Sequence, residues 1–440
     1  MIVQSYIKGS SAVNIAASVE QAVASGRVGK GEPLPTVRAL AAVLEVSPAT
    51  VAAAYRILRE RGVVVAGGRR GTRIRHAVEA SPALPVELPP DVRNLAEGNP
   101  DRALLPKLAP ALRRADVAQR LYGESLNDAE LVRLTRRQFT GDGVPAAHVA
   151  VVSGALDGIE RVLRESLRPG DRVAIEDPCF TGILELLANL ALEPVPIPID
   201  DEGLLPHALE RALQRPVQAL IVTPRAQNPT GAAFTRRRAL ALRRILRTHR
   251  DLLLIEDDHA GPVAGAPYIT LVQKERPHWA VVRSTSKSLG PDLRVAVVAG
   301  DATTIARVEA RQHHGMRWVS HILQRLVATL WNDAGVRKQL RIAERTYAER
   351  RAALIAALLT RGIEAHGRTG LNVWIPLPEE SAVVQALLQR GWAVNAGERY
   401  RLATPPAIRV TVAALTPADA ARFAADLAAI LARRQRTAAA

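Results

Sequence analysis

A single cysteine, Cys179, stands in 440 residues. No intrachain disulfide can form, and the chain suits a reducing compartment. No stretch reaches the roughly eighteen consecutive apolar residues that a membrane span requires. The opening MIVQSYIKGSSAVNI has no basic segment running into a long apolar one. A cytoplasmic protein without membrane association is therefore expected. No internal repeat is visible, which speaks against a solenoid or a propeller. Beside Glu256-Asp257-Asp258-His259 there is no second cluster at metal-ligand spacing, so no metal is expected.

What is present is a long, basic, globular chain. At 440 residues it exceeds one ordinary core, and two or three domains are expected. Hydrophobic residues at 48% and charged residues at 23% exclude a disordered chain. Lys and Arg number 59 against 43 Asp and Glu, a formal charge of +16, which favours polyanionic partners.

The first 75 residues carry eleven Lys and Arg against four Asp and Glu, a local +7. Val13, Ala16, Ala17 and Val23 recur at helical spacing up to Gly26, and Gly29 to Pro33 breaks that helix. Thr36 is placed to cap a second helix with Val37, Leu40, Ala41 and Leu44 on one stripe. Ser47-Pro48 starts a third, on which Val51, Tyr55 and Leu58 face inward and Ala49, Thr50, Ala53 and Arg56 face out. Val63-Val64-Val65, a glycine-rich basic tip and Thr72-Arg73-Ile74-Arg75 then read as a hairpin. Three helices and such a hairpin describe a winged helix-turn-helix, whose third helix enters the DNA major groove. The run from Glu32 to Ala41, Val46 to Val51, Ala54-Tyr55, Leu58, Gly62 and Gly71-Thr72 resembles the GntR-type domain. That resemblance implies double-stranded operator DNA as partner, with Thr36, Arg38, Ser47, Thr50, Arg69, Arg70 and Thr72 at the interface.

Residues 76–93 hold four prolines and no periodicity, as a semi-rigid linker would. Beyond it, strands and helices alternate. Val149 to Val152 runs into Ser153-Gly154-Ala155, small residues that let helix N–H groups approach a phosphate. Arg172 to Ile175 runs into Glu176 to Phe180, and Ala219 to Val222 into Thr223 to Gly231. Leu252 to Ile255 leads to Glu256-Asp257-Asp258-His259, where a buried carboxylate needs a cation. Val281-Val282-Arg283-Ser284 leads to Thr285-Ser286-Lys287, with Arg294 seven residues on. A lysine at the carboxyl end of a parallel strand points into the crevice where such sheets bind ligands, and desolvation there fits its amine for Schiff-base formation.

Asn228-Pro229-Thr230-Gly231 together with Ser284-x-x-Lys287-x-x-x-Pro291-x-x-Arg294 resembles fold-type I aminotransferases over roughly residues 94–430. The resemblance implies pyridoxal 5′-phosphate (PLP) as cofactor. Lys287 would form the internal aldimine, Asp257 would pair with the pyridine nitrogen and Asn228 with the ring hydroxyl, and Phe180 would stack on the ring. Ser153, Gly154, Ala155, Ser284, Ser286 and Arg294 would hold the phosphate. Tyr122 would reach the phosphate of a partner subunit, and Arg409 would clamp an effector carboxylate. Two positions depart from the family: His259 stands where a tyrosine usually touches the ring oxygen, and Phe180 stands where the stacking residue is often tyrosine. Protonation of His259 near neutral pH would alter the electronics of the site.

The expected fold is α/β: a winged helix-turn-helix (1–75), a linker (76–93), a PLP-binding large domain (94–310), then a connecting helix and small C-terminal α+β domain (311–440). This combination resembles the MocR subfamily of bacterial transcription regulators. It implies a homodimer that responds to PLP or to a small amino compound. A working aminotransferase with an appended DNA-binding domain is the alternative.

Overall fold

The computed structural model describes residues 6–29, 31–60, 63–66, 71–74, 88–116 and 118–439. Residues up to 85 belong to one compact unit and the bulk of residues 86–440 to another.

The N-terminal unit has three helices, α1 (Ala12–Ala24), α2 (Val37–Leu44) and α3 (Pro48–Glu60). They are followed by an antiparallel pair, β1 (Val64–Ala66) and β2 (Thr72–Ile74). Local chemistry sets the boundaries. The Ser11 and Thr36 hydroxyls accept from Asn14 N and Ala39 N, capping α1 and α2, and the Ser47 hydroxyl does the same for Thr50 N. Glu45 ends α2 in the left-handed region at φ 52°. Ile15, Ala16, Val19, Leu40, Val51, Tyr55, Leu58, Val64 and Ile74 form the core. The stripe expected on α1 is shifted: Val13 and Ala17 face solvent, and Ile15, Val19 and Ala22 are buried with Ala16. Ala16 and, in part, Val23 do pack in the core, so spacing alone places half of the stripe. Arg69 and Arg70 of the wing tip, together with Arg75 and residues 76–87, lie outside the described residues.

The second unit is built on an eight-stranded sheet. Its strands are β4 (His148–Val152), β5 (Arg172–Asp177), β6 (Glu193–Asp200), β7 (Gly203–Leu204), β8 (Ala219–Val222), β9 (Leu253–Asp258), β10 (Trp279–Ser284) and β11 (Ala296–Gly300). A short β3 (Arg93–Asn94) precedes them. The spatial order is β4-β11-β10-β9-β8-β5-β6-β7. Strands β5, β8, β9 and β10 run parallel and β11 is antiparallel to both neighbours. The central strands are buried along their length. They read as continuous apolar runs because both faces are covered.

A smaller sheet, β12 (Asn372–Pro376), β15 (Ala407–Thr411) and β14 (Asn395–Ala396), packs with helices Ser381–Leu388 and Pro417–Ala439. The chain's entry into this unit is shared with it: β3 pairs with β13 (Trp392–Ala393), and Leu95 is wholly buried in the small sheet's core. The core of the large sheet, in turn, continues through Leu326, Leu330 and Leu340 to Tyr347, halfway along the helix Ala334–Leu359. No single helix among the described residues is long and apolar enough to cross a membrane.

Candidate functional site

A cavity of about 240 Å³ opens where the carboxyl ends of the parallel strands meet β12 and β15. Lys287, Asn228, His259, Phe180 and Arg409, all singled out in the sequence, line it. Glu97, Gly98, Asn99, Leu371 and Asn372 complete the lining.

Strand alternation sorts the acidic run on β9. Glu256 and Asp258 point to one face and Asp257 to the other. Asp258 takes a two-pronged contact from Arg225 at 2.8 and 2.9 Å and a third from Arg283 at 2.6 Å. Burial alone would raise its pKa, but Arg283 and Arg225 hold it well below the usual carboxylate range. Glu256 accepts from Tyr268, from Thr270 at 2.8 Å and from Leu271 N. Asp257 has no such company. Its Oδ1 is buried without a hydrogen-bond partner, and burial with the adjacent Asp258 pushes its pKa up to about 7 against the pull of Lys287.

Lys287 follows β10, one strand over from Asp257. Its Nζ donates to the Gly98 carbonyl at 2.6 Å. Burial and the nearby Arg409 press its pKa down to about 8. That brings a neutral amine within reach near physiological pH.

His259 departs from the expectation of a ring that titrates near neutrality. Its Nε2 lies 2.8 Å from the Ala226 carbonyl. That oxygen can only accept, so the proton sits on Nε2 and Nδ1 keeps its lone pair. Burial and the charge on Lys287 lower the pKa to about 4, and the ring is neutral at pH 7.

Asn228 Oδ1 accepts from Asn372 at 3.2 Å and from Arg409 Nη1 at 3.3 Å. Arg409 also donates to the Ala96 carbonyl and lies over the Tyr400 ring at 4.9 Å.

The residues assigned to the phosphate gather separately. Arg294, at φ 48°, donates to the Ser153 carbonyl at 3.2 Å. Gly154 has φ 104°, and a Cβ there would lie 2.6 Å from Arg294 Nη2, so only glycine lets the guanidinium close on the start of helix Ala155–Ser166. Ser284 and Ser286 hydroxyls are 2.9 Å apart. These residues do not appear among those lining the cavity. Tyr122 is 77% exposed, with its ring edge-on to Trp318 and Arg317 above it, and it does not line the cavity.

An unpartnered buried carboxylate, a lysine of lowered pKa and a glycine-bounded arginine are complementary to a cationic ring nitrogen, an aldehyde and a phosphate. The donor set therefore fits PLP. Backbone groups escaped the sequence reading: the carbonyls of Ala96 and Gly98 carry no side-chain signature. Asn372 and Tyr400 escaped it because nothing in their local sequence marks them.

In the N-terminal unit, Thr36, Arg38 and Ser47 are exposed, and Thr50 and Thr72 are partly so. The Ser47 and Thr50 hydroxyls are 2.8 Å apart at the start of α3. The Tyr55 hydroxyl donates to the Pro35 carbonyl at 2.7 Å, fixing α3 against the entry to α2.

A helix-turn-helix with a hairpin wing, followed by a lysine-bearing α/β sheet of this strand order, defines a DNA-binding unit joined to an aminotransferase-type unit. Residues 11–74 match the family of bacterial regulatory proteins of gntR type, and residues 90–427 match aminotransferase class I and II. The vitamin B6 salvage pathway transcriptional repressor PtsJ of Salmonella typhimurium is 37% identical over 428 residues, 96% of this chain and 98% of that protein. The pyridoxine biosynthesis transcriptional regulator PdxR of Corynebacterium glutamicum is 31% identical over 255 residues, 54% of each chain. Kynurenine aminotransferase of Pyrococcus horikoshii superposes with a TM-score of 0.71 at 22% identity, over 78% of this chain and 91% of that one, a likeness of fold. The chain belongs to the MocR-type transcriptional regulators, in which a GntR helix-turn-helix domain is fused to an aminotransferase class I and II domain.

Proposed function

We propose that this regulator binds PLP at Lys287 and controls genes of vitamin B6 metabolism in response to it or to an amino compound captured there. The observation that carries the reading is the buried, unpartnered Asp257 Oδ1 in a site whose lysine has its pKa lowered to about 8. The full-length similarity to a B6 salvage repressor supports the choice of pathway. When bound, PLP supplies an aldehyde that captures amines and a ring that withdraws electrons when its nitrogen is protonated. The chain's own residues do the rest. Asp257 keeps that nitrogen protonated, Asn228 donates to the ring hydroxyl, Phe180 covers the ring, and the Ser153-Gly154-Ala155 helix start with Ser284, Ser286 and Arg294 holds the phosphate. Arg409 receives an effector carboxylate. Thr36, Arg38, Ser47, Thr50, Thr72 and the wing arginines Arg69 and Arg70 meet operator DNA, and Tyr122 completes the phosphate site of a second copy in a homodimer.

A ligand switches DNA affinity only through unequal affinity for two arrangements of the protein. The test is binding of the full chain to its own upstream DNA at fixed salt, with and without PLP, because affinity for DNA is meaningless without the salt concentration. PLP-dependent specific binding is expected in the wild type and not in Lys287→Ala, which also loses the visible absorption band. An unchanged band in that variant sinks the assignment of Lys287. Arg409 in the lining beside Lys287 favours a second reading, an aminotransferase with an appended DNA-binding unit. Turnover of an amino acid with a keto acid at an ordinary enzymatic rate would establish it.

A further inference from the structure

One hydrogen-bond chain at the cavity has its polarity set from one end. Arg409 can only donate, so the Asn228 atom 3.3 Å from its Nη1 is Oδ1. That oxygen also lies 3.2 Å from the Asn372 amide, which must present Nδ2 to it. Asn372 Oδ1 is thereby turned to the Thr411 hydroxyl at 3.0 Å, which donates. Asn372 opens β12, Thr411 closes β15, and the two are direct register partners. Asn372, Thr411 and Arg409 are 6%, 2% and 3% exposed. Little solvent is at hand to replace a lost partner, and an unmade bond there is costly.

With both donors on its oxygen, Asn228 has its Nδ2 directed away from them, on a side chain that lines the cavity. Arg409 is the less permanent of the two donors. Its Nε is buried without a partner, and its fork is the group a ligand carboxylate would recruit. When Arg409 turns to such a ligand, Asn372 is the donor that remains.

We propose that Asn372, backed by Thr411, is a positioning residue that keeps the Asn228 amide nitrogen on the ring hydroxyl of PLP whether or not Arg409 is engaged by a carboxylate. The proposal rests on the reading of this site as a PLP site. It makes the effector-carboxylate subsite and the ring-hydroxyl subsite neighbours on one chain of bonds.

The test uses the full-length protein loaded with PLP, in wild type, Asn372→Leu, Thr411→Val and Thr411→Ser, each with and without propionate, a carboxylate without an amine. The readouts are the PLP dissociation constant and the pH midpoint of the visible absorption change. Losing a donor to the ring oxygen raises that midpoint, by roughly one pH unit for Asn372→Leu, and weakens PLP about tenfold. Both effects grow when propionate occupies Arg409. Thr411→Val moves the same way by less, and Thr411→Ser restores wild-type behaviour. A merely structural role would lower the urea midpoint and leave the pH midpoint in place. Should Asn372→Leu fail to fold, the near-isosteric Thr411→Val carries the test. A wild-type pH midpoint in the variant that folds, with a normal wild-type band, overturns the proposal. A wild type that shows no band removes the PLP reading and the proposal together.

Discussion

The two faces of β9 treat the same chemical group in opposite ways. Asp257 and Asp258 are adjacent and both buried, at 5% and 0% exposure. Asp258 sits between Arg225 and Arg283, which in turn reaches Asp142 at 2.6 Å and stacks on Phe139 and Tyr268. Asp257, on the other face, feels the pull of Lys287 and keeps one buried oxygen unpaired. A buried charge that is satisfied internally belongs to the scaffold. One left unsatisfied on a neighbouring position implies a partner from outside the chain.

Substitution at Asp258 is expected to have the largest effect. Asp258→Asn strands two arginines in the core and should cost about 3–5 kcal/mol in urea unfolding, with or without PLP. A variant as stable as wild type would erase the distinction between the faces.

Asp257→Asn should do the reverse. PLP affinity falls roughly ten- to a hundredfold with the charge-assisted bond, while the unloaded protein is no less stable at pH 8. If PLP affinity is unchanged, Asp257 is not the counterion of the ring.

The pH dependence sharpens the same contrast. Asp257 has its folded pKa raised from 3.8 to about 7, so its ionisation opposes folding progressively as pH rises through that window. Relative to wild type, unloaded Asp257→Asn should gain stability from about pH 4 to a plateau above pH 7, on the order of 1–3 kcal/mol. A constant difference across that range would contradict the raised pKa.

His259 has the opposite sign. Its folded pKa is lowered to about 4 from 6.5, so its contribution is complete above pH 6.5 and is lost as pH falls through 4. His259→Gln should therefore differ from wild type mainly on the acid side. The visible band of the loaded wild type should show no step attributable to His259 between pH 6 and pH 8. A step in that range that disappears in His259→Gln would show a titrating ring.

Much of this was legible in the chain. The capping residues Thr36 and Ser47 mark helix starts by local chemistry, and both act as caps. Apolar runs leading toward Asn228, Asp257 and Lys287 mark the strands that deliver them, because a buried parallel strand is apolar until it nears the crevice. What was not legible depends on contacts distant in sequence. That Asp258, and not Asp257, is the carboxylate with two arginines follows from strand phase, from Arg283 on neighbouring β10 and from Arg225 in the turn after β8. The neutrality of His259 depends on burial and on the charge of Lys287, and its tautomer on the carbonyl of Ala226, 33 residues earlier. The phase error on α1 has a similar origin: alanine and valine fit either side of a short helix, and the tertiary neighbours choose.

The lysine's present partner has a further consequence. Lys287 Nζ donates to the Gly98 carbonyl, and Arg409 to that of Ala96, in the first loop after β3, where the chain from the DNA-binding unit enters the sheet. A nitrogen bonded to an aldehyde carbon has given up donors it offers as a free amine, and a guanidinium gripping a carboxylate has turned its fork. Loading the site would compete with those two bonds, while Asn395 Nδ2 keeps its own hold on the Ala96 carbonyl at 2.6 Å. A bound ligand would draw two cations off a loop that lies next in line along the backbone to the segment leading to the N-terminal unit.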